Sequence, residues 1–220
     1  MPAKLLKYEI KSSYLWGFFI TSKGVRGMEI ASLLVQLQDK DKVTFEHCLR
    51  VRKLAEAMAS FLINSDDAEK QNFIRGCFIH DIGKLMTPNK ILNKPSALTP
   101  DEWQVLKRHP VTGVNLFINK SNIHKQIIEI VEYHHERWDG LGYPYGLKGN
   151  EIPVFARICS IIDAFDSMIS DRPYRKGLSL EKAKEELHNQ SWSQFDGFYV
   201  NQFLSLSDSL LTSSSKYIHT

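Results

Sequence analysis

Five of the eight histidines in this chain fall at the predicted ends of helices: His47, His80, His109, His134 and His135. His80 is followed by Asp81, and Asp163 sits among Ile161, Ile162 and Phe165 in the most apolar stretch. Taken singly, most of these have an ordinary explanation. Composition alone gives about 0.3 adjacent histidine pairs in a chain of this make-up. A lone histidine on an apolar face is more often a hydrogen-bonded core residue than a ligand, by roughly two or three to one. Asp163 resists the ordinary reading, because a carboxylate among isoleucines must either turn to solvent or meet a cation. A two-metal site accounts for all of these residues at once. Neutral imidazoles and carboxylates suit iron, manganese or zinc, whereas calcium and magnesium prefer oxygen alone. A carboxylate is the natural bridge between ions roughly 3.5–4 Å apart, and Asp81, next to His80, is placed to be one.

The elements that must carry these residues read as helices throughout. Met28, Leu33, Leu34 and Leu37 share a face of a helix ending near Asp39 to Asp41. Thr44 is a candidate cap for the next, whose stripe is Cys48, Val51, Leu54, Ala55, Met58 and Leu62. Asp66 or Asp67 opens a third helix, ending around Gly83. Residues 86–98 hold Pro88 and Pro95 and read as a loop. Thr99-Pro100-Asp101-Glu102 then has the form of a capped helix start. Pro110 opens a helix just after His109, and Ser121 is expected to cap one running to about His135. Gly140, Gly142, Pro144 and Gly146 enforce a loop. A strongly apolar helix spans Pro153 to Ile169, and two more start at Ser179 and Asp196. The serine-rich tail after Ser205 is expected to fray. Sustained two-residue alternation and internal repeats are absent, so the fold class is all-α.

Bulk composition narrows the function. With 220 residues, 43% of them hydrophobic, the chain fits one domain of ordinary size. A net charge of +3 is too mild for a nucleic-acid polymer, which calls for a clustered basic face. The three cysteines, Cys48, Cys77 and Cys159, make no CxxC pair and point to a reducing compartment. The longest early apolar run, Tyr14 to Ile20, is far short of the ~20 residues of a spanning helix, and no small-residue cleavage site follows it. A cytoplasmic protein that does not enter the membrane is the expectation.

Two strings carry a family resemblance. His80-Asp81-Ile82-Gly83-Lys84 resembles the signature of the HD phosphohydrolase superfamily. The run His134-His135-Glu136-Arg137-Trp138-Asp139-Gly140-Leu141-Gly142-Tyr143-Pro144 resembles the HHExxDGxGYP signature of its HD-GYP branch. The surroundings of His47, His109 and Asp163-Ala164-Phe165-Asp166 are similar too, as is the basic segment Asp171-Arg172-Pro173-Tyr174-Arg175-Lys176. The likeness divides the chain into a segment of unknown role (1–26), a catalytic domain (27–204) and the tail (205–220). It implies a bundle of about seven to nine helices around a metal cleft, and a phosphodiesterase that opens cyclic di-GMP to pGpG and, in some members, on to GMP.

By that resemblance His47, His80, Asp81 and Asp163 hold one metal, and His109, His134 and His135 hold the second, with Asp81 shared. Iron or manganese is implied. Some members hold a third ion through a glutamate one turn before the first histidine; here that position is Val43, which cannot ligate. Two cations would lower the pKa of a water towards ~7 and make hydroxide available to attack phosphorus, with Lys84 and the metal charge stabilising the phosphoryl oxygens. Arg172 and Arg175 are candidates to grip a phosphate or guanine edge, and a solvated surface pair is an equal reading of them. Tyr143 and Pro144 form a stiff turn fit for substrate or for a signalling-protein partner. Glu136 and Asp139 read as supporting groups, and His124, His188 and His219 as ordinary histidines. A homodimer is compatible with all of this. Two rivals remain: an HD hydrolase of another nucleotide, and a non-catalytic cyclic di-GMP receptor or adaptor.

Overall fold

The apolar stripes fold as their periods require. The structure is a computed structural model that describes residues 26–63, 67–117, 123–171 and 176–213. The N-terminal segment as far as Val25, Ser121, Arg172, Arg175 and His219 lie outside the described residues. In chain order the helices are α1 (Arg26–Lys40), α2 (Lys42–Leu62), α3 (Asp67–Ile79), α4 (Asn89–Leu92), α5 (Pro100–Leu106) and α6 (His109–Asn115). There follow α7 (Lys125–Tyr133), α8 (Val154–Ile169), α9 (Leu180–Asn189), α10 (Gly197–Leu204) and α11 (Asp208–Ser213). Two 3-10 turns, Ile82–Met86 and Gly149–Glu151, complete the set. No strand occurs among the described residues, and the fold is all-α.

Helix α8 is central because it is apolar on nearly every face. Ile158, Ile161, Ile162 and Phe165 are buried against Val51, Leu54 and Met58 of α2, Phe73 of α3, Leu187 of α9 and Phe203 of α10. A second cluster gathers Leu34 and Leu37 of α1, Cys48 of α2, Phe78, Ile79, Ile82 and Phe117. Helix α7 joins the two, giving Ile130 to the first and Val131 to the second. All three cysteines are free and buried.

Several boundaries differ from expectation, each for a local reason. Asp41, not Thr44, caps α2: its carboxylate accepts from the Val43 amide at 3.1 Å and from the Thr44 hydroxyl at 2.5 Å. His124 does the same for α7, its Nδ1 accepting from the Gln126 amide, so this helix starts beyond Ser121. Helix α3 stops at Ile79 rather than near Gly83, because the chain tightens there into the 3-10 turn. Lys40 holds that turn in place by donating to the carbonyls of Leu85 and Thr87, both at 2.6 Å. The stretch read as a loop contains α4, and the capping box of α5 forms as expected, with Thr99 and Glu102 exchanging hydrogen bonds.

As far as Ser213, the chain after Ser205 is more ordered than its serine content suggests. Helix α11 follows Ser205, and Leu206 and Leu211 are buried in the core around α8. With such short helices included, the count among the described residues exceeds seven to nine. Removing a fully buried leucine side chain costs about 2–5 kcal/mol. Leu211→Ala is therefore expected to lower the unfolding free energy by that amount in a urea titration; an unchanged midpoint would mean the tail is an appendage.

Candidate metal centre

Four helix ends and the middle of α8 deliver the seven candidate donors to one cleft. His80 and Asp81 follow the last residue of α3, His109 opens α6 where α5 has just ended, and His134 and His135 follow α7. His47 lies early in α2 and Asp163 in the middle of α8. The donor atoms fall into two groups, Asp81 with His109, His134 and His135, and His47 with His80 and Asp163, each within 4.8 Å.

Asp81 faces both groups. Its Oδ2 lies 3.5 Å from His80 Nε2 and 3.8 Å from His47 Nε2. Its Oδ1 lies 3.2 Å from His109 Nε2 and 4.0 Å from His134 Nε2. The Oδ2 also accepts from Lys84 Nζ at 2.6 Å. The close pairing of these segments requires Gly83: a Cβ there would stand 1.9 Å from the His109 carbonyl oxygen.

The tautomers follow from the hydrogen bonds. His80 Nδ1 donates to the Cys77 carbonyl at 2.8 Å, His109 Nδ1 to Leu106 at 2.9 Å and His134 Nδ1 to Val131 at 3.0 Å. A carbonyl can only accept, so the neutral form of each ring presents a bare Nε2 lone pair to the cleft. His109 and His134 bring theirs to 3.2 Å of each other, and Asp81 Oδ1 beside them is buried with no hydrogen-bond donor. Convergent buried acceptors without a proton among them are costly. Such a donor set fits a divalent cation of the kind that imidazole and carboxylate bind.

The electrostatics agree. Burial, with the neighbouring rings adding to it, pushes His134 well below the usual histidine range and His135 down to about 3. His80 is lowered mainly by burial. Burial opposes the charge on Asp81 and Asp163, yet the Lys84 ammonium beside Asp81 and the His47 ring beside Asp163 outweigh it and hold both carboxyls well below their usual range. His47 is the exception. Burial disfavours its charge, but Asp163 at 3.0 Å from Nε2 and Asp166 at 2.8 Å from Nδ1 push it up to about 9.

Asp166 and its partner Arg50 join the expected residues in framing the site. Asp166 is fully buried and accepts from Arg50 Nε at 2.8 and 3.0 Å as well as from His47. The signal was available, since Asp166 is a second carboxylate in the same apolar helix, and the reasoning applied to Asp163 applies equally to it. Glu136 and Asp139 do act as supports. Glu136 accepts from the amides of Tyr145, Gly146 and Leu147, and Asp139 accepts from Leu141 and Arg137. The loop they shape stacks the Tyr143 ring on His135, centroids 4.7 Å apart, with Pro144 following it. Val43 is exposed one turn before His47.

Comparison with known proteins follows the same lines. A family model described as "HD domain" matches residues 31–198. A cyclic di-GMP phosphodiesterase of Pseudomonas aeruginosa is 37% identical over 68% of this chain and 36% of its own length. One of Thermotoga maritima is 36% identical over 81% of this chain and 48% of its own. The chain thus spans between a third and a half of these curated relatives. A solved cyclic GMP-AMP specific phosphodiesterase of V. cholerae shares the fold, with a TM-score of 0.65 at 20% identity over 84% of this chain and 50% of that one.

The shifted histidines predict a two-sided pH dependence for the metal-free protein. Burial lowers His80, His134 and His135 in the fold, so their contribution is present above pH ~6.5 and falls as the unfolded chain takes up protons below it. His47, raised in the fold, contributes fully below ~6.5 and loses that contribution as pH rises towards about 9. With a chelator present, the urea midpoint should peak near pH ~6.5 and drop at both 5.5 and 8.5, by at most roughly 1.4 kcal/mol per pH unit for each group. A midpoint that climbs steadily to pH 8.5 would remove the raised His47.

Proposed function

The chain belongs to the HD domain family, and from that premise we propose that it is a metal-dependent phosphodiesterase of the HD-GYP type that hydrolyses cyclic di-GMP. The observation that carries the reading is Asp81, whose two oxygens face two separate groups of donor atoms. A carboxylate so placed is suited to bridge two ions, which in this ligand set would be iron or manganese. His47, His80 and Asp163 would complete one position, and His109, His134 and His135 the other. The cations, when bound, supply Lewis acidity and a nucleophile available at neutral pH.

The protein's own groups account for the rest. Peptide carbonyls hold three imidazoles with their Nε2 lone pairs inward, so those ligands need no deprotonation. Lys84 keeps Asp81 ionised and places an ammonium at the edge of the cleft, where a phosphoryl oxygen gathers charge. Tyr143, stacked on His135, keeps that ring in its plane and walls one side of the site. Arg172 and Arg175 remain proposed contacts for a phosphate or a guanine edge. The exposed Leu141 and Tyr145 of the same loop as Tyr143 and Pro144 offer a surface to a signalling partner.

The test is anaerobic purification, loading with Fe or Mn, and chromatography of cyclic di-GMP, cyclic GMP-AMP and cyclic di-AMP after incubation. Metal-dependent release of pGpG or GMP is expected, with loss of at least about a thousandfold in a variant combining His80→Ala and Asp81→Ala. Turnover confined to another cyclic dinucleotide would change the substrate but keep the chemistry. Intact substrates on a metal-loaded protein would favour a receptor.

A further inference from the structure

Several cations of the described residues are already neutralised. Lys84 is paired with Asp81, Arg50 with Asp166, Arg137 with Asp139, Lys94 with Glu102, and Arg157 with Asp196. Lys107 differs. It is half-buried at the end of α5, and among the described residues its ammonium meets neither a carboxylate nor a carbonyl. Its Nζ instead stands 5.1 Å over the ring of Tyr143 and 5.9 Å over that of Trp103. Tyr143 is the ring stacked on His135, so Lys107 lies one aromatic ring away from a candidate metal ligand.

Cation–π contacts steady an ammonium but leave its three N–H donors unused. The segment that carries it is built to stay put. Helix α5 is closed by its capping box and the Lys94–Glu102 pair at one end, and its Leu106 carbonyl accepts from His109 at the other. No side chain of α5 is fully buried, and Trp103 is 44% exposed, so this helix leaves its indole accessible beside the ammonium. An ammonium with unused donors next to a partly exposed indole suits a nucleotide, with a phosphate on the cation and a purine near the ring.

We infer that Lys107 receives the second, non-reacting phosphate of a cyclic dinucleotide whose first phosphate occupies the metal centre. The inference rests on the proposed function and deepens it. A cyclic dinucleotide carries two phosphodiesters, and only one is at the metals in a given turnover. The cation for the other has to lie outside the donor cluster yet within one nucleotide of it. Lys107 meets both conditions. Such a contact favours cyclic dinucleotides over substrates with a single phosphodiester.

The experiment is isothermal titration of the metal-loaded full chain with a hydrolysis-resistant phosphorothioate analogue of cyclic di-GMP, and separately with 3′,5′-cyclic GMP, which has one phosphate. Lys107→Gln should weaken the dinucleotide by roughly ten- to a hundredfold, the loss of one charged hydrogen bond. Cyclic GMP should weaken by far less, and Lys107→Arg should recover most of the dinucleotide affinity. Thermal melts of both variants exclude a folding defect. Unchanged dinucleotide binding in Lys107→Gln, or equal weakening of both ligands, would overturn the inference while leaving the phosphodiesterase reading intact. A wild-type protein that binds no cyclic dinucleotide would overturn that reading, and the inference with it.

Discussion

Peptide carbonyls at the C-terminal ends of three helices accept the Nδ1 proton of a histidine, and the rest of the site depends on this. A helix leaves its last four carbonyls without an intrahelical partner. Cys77 in α3, Leu106 in α5 and Val131 in α7 are such residues, and His80, His109 and His134 each turn back to them. The exchange satisfies an otherwise orphaned acceptor and fixes both the ring's orientation and its tautomer. It also explains why each of these histidines follows its acceptor by three residues as a helix closes. The Nε2 atoms then have one direction left to face, and the three helices aim them at the same volume.

His47 is held by a different rule. Its two nitrogens are gripped by Asp163 and Asp166, one turn apart on α8, and Asp166 is in turn tied to Arg50 one turn further along α2. The site therefore has a side on which neutral carbonyls frame His109 and His134, and a side on which a carbonyl holds His80 while charges frame His47. Asp81 stands between them, balanced by Lys84. Outer partners of this kind tune a ligand's basicity as much as its position, so the two halves of the cleft are not electrostatic equivalents.

Much of this was legible in the chain. The stripe from Cys48 to Met58 is buried as its period requires, and the apolar helix ending at Ile169 is the centre of the core. Asp163 stood out because charge and surroundings disagreed, and the motifs around His80 and His134 marked the others. What escaped depends on tertiary placement. Asp41 prevailed over Thr44 as a cap because a carboxylate one residue before the helix reaches the free amides better than a hydroxyl inside it. Leu211 is an ordinary residue in a serine-rich stretch until the core around α8 is present to receive it. Lys107 has no sequence signal, since what distinguishes it is the pair of rings that folding brings to its sides.

The bond between His47 and Asp166 joins residues 119 positions apart, and Arg50 reaches the same carboxylate across 116. Contacts that span so much chain form only after the entropy of closing the intervening loop has been met. Helices α2 and α3 can pair early, being neighbours, but the pocket around His47 stays unfinished until α8 docks. Competence to gather the seven donors is thus among the last properties the chain acquires, and a partly folded molecule presents scattered imidazoles rather than a weakened version of the centre.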